Sequence, residues 1–390
     1  MPQGTPLYIP FPVAVSPDRD AAEQRNVRWA RQHGLLSTES AERRYRTWRL
    51  HELAARTNPH AQGEDLSLVL DVLSFMFLFD DQFDGPLGRQ PHRAQELCRR
   101  LTVLTDPTPS VGERSGAPVL DAWMELWHRC VLGMSSTWRE RTANHFRAYF
   151  EAHVHETANR AHGERLTLQG YLPLRRDTVA MRPLQDLIER VGHFEVPAHL
   201  HGSPQVRELR EITTMVIALN NDISSLEKEA ARGDSHNLVL VLQSEQGLSQ
   251  TEAIGVISTM TREYVEHFLE LQSQVPLLVR TLNLDSKARD ALPRLVDGMR
   301  DWMRGCSTGR PSLPATHRTV CCLLQDRATS KISSPHAMTR PVERADPVAH
   351  VMQFPKVAGC RPSTGPTRSA TPARSCPSNP PGAGERQGTG

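Results

Sequence analysis

The sequence predicts an all-α fold, and three observations carry that prediction. From residue 18 to residue 305 apolar residues recur three and four positions apart, the spacing of helices that bury one face. Helix-starting and helix-stopping residues punctuate the pattern. Strict apolar–polar alternation and turn-bounded Val-Ile-Thr clusters do not recur, so strands are not expected to dominate. No internal repeat is present, and about a dozen helices around one core are expected over residues 1–305.

Residues 1–17 are Pro-rich and read as an arm or strap. The first helix runs from Asp18, its N-cap, to Gly34, its stop, because glycine enters the left-handed conformation at little cost. The second spans Thr38 to Thr57, the third Glu64 to Asp84 and the fourth Arg93 to Leu104. Residues 106–117 hold Pro and Gly in a loop pattern. Pro118 to Leu132 and Ser136 to about Arg165 are long helices. A short helix at Thr167 to Tyr171 follows. Arg176 to Val191, Val206 to Ala231, Asn237 to Glu245, Ser249 to Gln274 and Ser286 to Gly305 complete the set.

The last 85 residues, 306–390, differ. They hold twelve of the 29 Pro and five of the seven Cys, and apolar periodicity ends. Such a composition cannot bury enough apolar surface to offset ordering entropy, so a disordered tail is expected. In the body, a net charge of +2 with interspersed signs gives no electrostatic support for nucleic acid. No apolar run reaches the roughly eighteen residues of a membrane span, no signal-peptide pattern opens the chain, and no CxxC is present. A cytoplasmic protein acting on a small molecule is expected, as monomer or homodimer.

The stretch around which the chain is organised is Phe79-Asp80-Asp81-Gln82-Phe83-Asp84, which closes the mostly apolar run Val69 to Phe79. On a helix, Asp80 and Asp84 share one face a turn apart. The carboxylates repel each other and sit where the helix dipole is already negative. A cation removes both penalties, and Mg²⁺ binds through one or two carboxylates while keeping sites for water and phosphate. Paired acids also occur on ordinary solvated helix faces, but here they follow eleven mostly apolar residues directly.

A second stretch, Asn220-Asn221-Asp222-Ile223-Ser224-Ser225-Leu226-Glu227-Lys228-Glu229, also follows an apolar run. Asn221, Ser225 and Glu229 are four apart and stack on one helix face, offering amide, hydroxyl and carboxylate oxygens to a hard cation. Lys228 stands beside them for an anion. Two hard-cation sites on separate helices are economically explained by one polyanionic group, such as a diphosphate, clamped between them. His153, His155 and Glu156 lie on a helix rich in Arg, Asn and Glu, and a solvated face is expected for them.

The pair DDQFD and NDISSLEKE resembles the DDxxD and NDxxSxxKE motifs of bacterial class I terpene synthases, the sesquiterpene cyclases in particular. The separation, about 140 residues, is also similar. YIPFPVAVSPDRDAAEQ at Tyr8 to Gln24, GHFEVP at Gly192 to Pro197 and GDSHNLV at Gly233 to Val239 look like the family too. The resemblance covers roughly residues 7–305 and implies a single class I helical bundle. It implies Mg²⁺-dependent ionisation and cyclisation of farnesyl diphosphate, with cyclases of the C10 and C20 prenyl diphosphates as alternatives. Carried over, Asp80 and Asp84 would hold two Mg²⁺ and Asn221, Ser225 and Glu229 a third. Asp81 would support the diphosphate side, and Lys228 would contact diphosphate. Arg175, 46 residues before Asn221, would be the diphosphate-sensing arginine, with Arg176 its competitor. Thr178 would link it to Val179, whose carbonyl would face the reacting carbon. Phe77 and Phe83 are the upstream aromatics that would line the pocket and stabilise a carbocation through their faces.

The family ends in a further helix begun by an Arg-Tyr pair. Here Trp302-Met303-Arg304-Gly305 matches the lead-in, and then the text changes at Cys306. Codons possible for Cys306 to His317 can encode Leu-Asn-Trp-Ser and then Thr-Arg-Tyr in another frame, so a frameshift near Gly305 is expected. A tail genuinely translated as written would imply a catalytically impaired relic.

Overall fold

The computed structural model describes residues 7–106, 116–281 and 286–307. Among them are fourteen α-helices, one 3₁₀ turn and no strand, as the all-α expectation required. The tail after Ser307 and most of the 106–117 loop lie outside the described residues. No helix among the described residues is long and apolar enough to cross a membrane.

The early helices are α1 (Arg19–Gln32), α2 (Glu39–Thr47), α3 (Leu50–Thr57), α4 (Gly63–Phe83), α5 (Pro91–Leu104), α6 (Pro118–Val131) and α7 (Ser136–His162). They are followed by α8 (Leu168–Thr178), α9 (Met181–Gly192), α10 (Ala198–His201), α11 (Pro204–Arg232), α12 (Leu238–Gln246), α13 (Gln250–Thr281) and α14 (Ser286–Ser307). Caps fix several starts: Thr38, Ser135, Thr167, Ser203 and Asn237 each accept a backbone N–H from the first turn with their side chains. Asp18 stands at the expected start of α1 but caps nothing. Its Oδ2 instead accepts from Arg25 at 2.6 Å and from the Gly63 N–H at 2.7 Å, tying α1 to the start of α4.

Helix α4 is the axis of the bundle. Every residue from Leu66 to Met76 is buried, the mark of a helix surrounded on all sides. It packs on α1, α3, α6 and α9. Rings of α6 and α7 close on its lower half: Trp123 lies 4.9 Å from Phe75 and 4.7 Å from Phe146, and Phe150 lies 5.4 Å from Phe79. Such aromatic pairs add about 0.5–1.5 kcal/mol each beyond their buried area. The N-terminal strap is ordered where it is described. Ile9 and Phe11 are buried, and Phe11 meets Phe268 of α13 at 5.9 Å.

Three boundaries differ from the sequence expectation. The single helix expected over Thr38–Thr57 is two, because Arg49 takes φ +51° and turns the chain between α2 and α3. No Gly or Pro marks this break. Trp48 occupies it, packed on Tyr45 at 5.7 Å and facing Phe77 at 6.3 Å. The gap expected between Tyr171 and Arg176 is closed, since α8 continues through Pro173, and the true break falls at Val179–Ala180, where Ala180 takes φ +64°. Helix α13 likewise continues through Pro276, past the expected end at Gln274.

After α4 a 3₁₀ turn, Pro86–Arg89, brings Gly88 against the end of the acid-bearing helix. A Cβ at 88 would sit 1.8 Å from the Phe83 carbonyl oxygen, a backbone atom that cannot swing aside. Gly88→Ala is therefore expected to destabilise the fold by about 2 kcal/mol or more, in the range of overpacked cores. Urea denaturation measures this, and a change under about 0.5 kcal/mol, the range of neutral surface substitutions, would contradict the close approach.

Candidate active site

The end of α4 and the last third of α11 are joined by ion pairs. Asp84, which caps α4, places Oδ2 3.0 Å from Lys228 Nζ and also pairs with Arg232, both on α11. Asp81 pairs with Arg44 of α2. Asp80 Oδ1 lies 3.4 Å from His153 Nε2 of α7. Each acid of the first motif thus faces a basic group from a different helix.

On α11, Asn221, Ser225 and Glu229 lie along one face. Arg175, near the end of α8, joins them: Nη2 donates to Asn221 Oδ1 at 2.6 Å and Nε to Asp222 Oδ1 at 2.9 Å. Asp222 is buried, and it also accepts from the Tyr171 hydroxyl at 2.6 Å and the Leu238 N–H at 3.0 Å. Burial pushes the Asp222 carboxyl up, with Arg175 opposing it. Burial also pulls the Arg175 guanidinium down, but Asp222, Tyr171, Glu229 and Glu156 together hold it above its usual range. Arg176 turns instead to Glu211.

The Ser225 hydroxyl donates to the Asn221 backbone carbonyl at 2.8 Å. Glu229 Oε2 accepts from Asn237 Nδ2 at 2.7 Å. Burial pushes the Glu229 carboxyl up, and Arg175 opposes that. Asn237 also donates to the Asp222 carbonyl at 2.7 Å, so the GDSHNLV segment is a bracket beneath the second motif. Asp222, Tyr171, Asn237, Arg44 and Arg232 were given no role from sequence; the NDISSLEKE string contains the first of them and the GDSHNLV string contains Asn237.

Of the expected aromatics, Phe77 is 39% exposed and faces Trp48, whose ring in turn carries the Arg44 guanidinium at 5.7 Å. Phe83 is buried against Phe79 at 5.0 Å and His153 at 4.9 Å, so its ring lies behind the acid motif. Val179 follows α8, its N–H donating to the Arg175 carbonyl at 3.0 Å. The neighbouring Thr178 Oγ1 is buried without a described hydrogen-bond partner. The solvated face expected for His153, His155 and Glu156 is corrected. His155 is exposed, but His153 and Glu156 are buried, because α7 turns them toward the end of α4 and toward Arg160, whose Nη2 donates to Glu156 at 3.1 Å.

The oxygens of Asp80, Asp84, Asn221, Ser225 and Glu229 are hard donors, and no thiol stands among them, so the set fits a hard divalent cation such as Mg²⁺. A second cluster, Asp186, Glu189 and His201, brings potential ligand atoms within 4.8 Å of one another. There the carboxylates already serve two guanidiniums: Arg210 donates to Asp186 Oδ1 at 2.9 Å and Arg141 to the same oxygen at 3.2 Å, while Arg141 also pairs with Glu189. His201 Nε2 meets Arg210 Nη1 at 3.0 Å, and burial together with Arg210 pushes its imidazole down to about 2. This is a buried ionic junction of α7, α9, α10 and α11, in which the charges are balanced by protein groups.

Burial pushes the Glu189 carboxyl from 4.5 up to about 7; Arg141 opposes the rise and Asp186 adds to it. A carboxyl raised in the folded state binds more protons folded than unfolded. Its contribution to stability is complete below 4.5 and lost as pH rises through about 7. Glu189→Gln is expected to flatten the fall in melting temperature between about pH 5 and 8. An unchanged slope in a thermal scan series would contradict it.

A family model described as "Terpene synthase family 2, C-terminal metal binding" matches residues 71–267, which contain both motifs. The chain belongs to the terpene synthase family. It is 37% identical over 311 residues to a (−)-β-caryophyllene synthase, (2E,6E)-farnesyl diphosphate cyclizing, from Saccharothrix espanaensis, covering 78% of this chain and 88% of the relative. It is 36% identical over 320 residues to pentalenene synthase of Streptomyces exfoliatus, covering 80% of this chain and 93% of the relative. The crystal structure of germacradien-4-ol synthase from Streptomyces citricolor superposes with a TM-score of 0.71 at 35% identity, covering 79% of this chain and all of that one. As a terpene synthase, the chain is a lyase of the prenyl diphosphate class, and its all-α bundle is the fold of its structural relatives.

Proposed function

We propose that this terpene synthase ionises and cyclises farnesyl diphosphate in a Mg²⁺-dependent reaction, releasing diphosphate and a cyclic C15 hydrocarbon or alcohol. The observation that carries the proposal is the pairing of the ends of α4 and α11, where Asp84 meets Lys228 and Arg232, with Arg175 on Asn221 of the same helix α11. Asp80 and Asp84 would hold two ions, and Asn221, Ser225 and Glu229 a third. Bound there, Mg²⁺ would neutralise the charge of the leaving diphosphate. Lys228 and Arg175 would contact the same phosphate oxygens, Arg175 through its planar fork, with Asp81 supporting that side. No protein nucleophile is needed once the C–O bond ionises. Phe77 would offer its face to the allylic cation and Phe83 would wall the pocket from behind. The Val179 carbonyl, set at the α8–α9 break, would face the reacting carbon.

The test is incubation of purified protein with farnesyl diphosphate and Mg²⁺, read by gas chromatography–mass spectrometry, beside the C10 and C20 diphosphates. A cyclic C15 product that requires Mg²⁺ supports the reading. A product from the shorter or longer substrate alone would move the substrate assignment. Absence of any product would favour the impaired relic. One observation favours that second reading: after Gly305 the sequence lacks the family's Arg-Tyr pair. We propose a frameshift there. Resequencing the gene settles it, and an alternative frame without Trp and Arg-Tyr would remove the idea.

A further inference from the structure

We propose that His153 is a positioning residue that holds Asp80 from behind, so that one chosen carboxylate oxygen is left to the cation; the inference rests on Asp80 being a Mg²⁺ ligand. The three acids of the first motif are held in two different ways. The partners of Asp81 and Asp84 are long, half-open arms: the side chains of Arg44, Lys228 and Arg232 are 61%, 49% and 42% exposed. An arriving anion can draw such arms away. The partner of Asp80 cannot leave, because the His153 side chain is 1% exposed. Its ring is packed against Tyr149 at 4.6 Å, Phe83 at 4.9 Å and Phe79 at 5.0 Å.

The ring is also oriented by its own helix. Nδ1 lies 2.9 Å from the Tyr149 carbonyl oxygen, one turn back in α7. A carbonyl only accepts, so Nδ1 carries a hydrogen; a carboxylate also only accepts, so Nε2 carries one too, and the ring pairs with Asp80 as the imidazolium. Nε2 meets Oδ1 of Asp80 at 3.4 Å, while the Asp80 side chain as a whole stays 56% exposed. No described hydrogen bond or ion pair engages Oδ2, which makes it the oxygen presented to a dication. Outer partners that orient a ligating group in this way are typically worth about 10- to 100-fold in metal affinity.

Three substitutions separate positioning from packing. Gln at 153 carries its amide to the place of Nε2 and reaches Asp80. Asn carries its amide to the place of Nδ1, keeps the Tyr149 bond and falls short of Asp80. Phe keeps the ring and loses both polar contacts. The full-length protein is titrated with Mg²⁺ at fixed inorganic diphosphate, following the rise in melting temperature that ligand binding brings. His153→Asn and His153→Phe are expected to need about tenfold or more Mg²⁺ for half the rise, and His153→Gln to stay within about threefold of wild type. Turnover with prenyl diphosphate is expected to return toward the wild-type value for all three at saturating Mg²⁺.

Wild-type metal dependence in both His153→Asn and His153→Phe would overturn the proposal. A loss in His153→Gln equal to that in His153→Asn would also overturn it, making ring packing the cause. Should His153→Phe fail to fold, the Asn–Gln pair decides alone. A wild-type protein that shows no Mg²⁺-dependent rise, or an Asp80→Ala variant that keeps all of it, would instead remove Asp80 as a ligand, and the proposal with it.

Discussion

Asn221→Ala is expected to lower product formation by about 10³-fold, the scale of losing a preorganised group that acts on developing charge. Two effects combine in it. The substitution removes one oxygen of the proposed metal set, and it removes the acceptor that holds Arg175 Nη2 at 2.6 Å. Asn221 is exposed on α11, so the fold should survive, with stability changed by no more than about 0.5 kcal/mol. Asp80→Ala should show a loss of the same order. The check is the rate of volatile product release at saturating Mg²⁺, together with a melting curve. A variant that folds and keeps more than a tenth of wild-type activity would remove Asn221 from the site.

The second large effect is expected from Arg175→Lys. The charge is kept, but the fork that bonds Asp222 with one arm and Asn221 with the other cannot be reproduced by an ammonium. Turnover should fall by about 10²-fold or more. Stability should fall too, because Asp222 is 1% exposed and would lose the partner that offsets its burial. Breaking a buried pair costs about 3–5 kcal/mol, and the Tyr171 hydroxyl and Leu238 N–H that remain on Asp222 should place the loss at or below the lower end. Urea denaturation and steady-state kinetics measure the two parts separately. A lysine variant with wild-type turnover and stability would show that charge alone suffices.

The elements legible in the sequence were those written by local chemistry. Helix α4 was legible because a mostly apolar run of eleven residues, Val69 to Phe79, needs a surrounding core. The starts of α7 and α12 were legible to within a residue: Ser136 opens α7 as expected, and Asn237 caps α12. The breaks at Arg49 and Ala180 were not. Both residues occupy the left-handed region without being glycine, so tertiary packing imposes conformations that composition argues against. Pro173 and Pro276 misled in the opposite sense, since packing carries α8 and α13 through them.

Within the site, residues that share a helix face were legible from their spacing. Residues that meet across helices were not. His153 and Asp80 are 73 positions apart in the chain, and nothing local distinguishes this buried histidine from the exposed His155 two places on. Arg44 and Arg232 stand among other arginines of α2 and α11 and gain meaning only when the bundle sets them against Asp81 and Asp84.

The grip of Lys228 and Arg232 on Asp84 has a consequence for how two ligands would arrive. Under the proposed assignment, a dication must take the carboxylate from the two basic side chains, and a diphosphate must take the side chains from the carboxylate. Either ligand alone competes with a bond already made. Together they exchange partners, and each finds what the other has released. Two ligands that dissolve the same bridge raise each other's affinity by the same factor. The site would then behave as a coincidence detector: neither free metal nor free anion would fill it readily by itself, and the pair that arrives with a prenyl chain would be favoured over both.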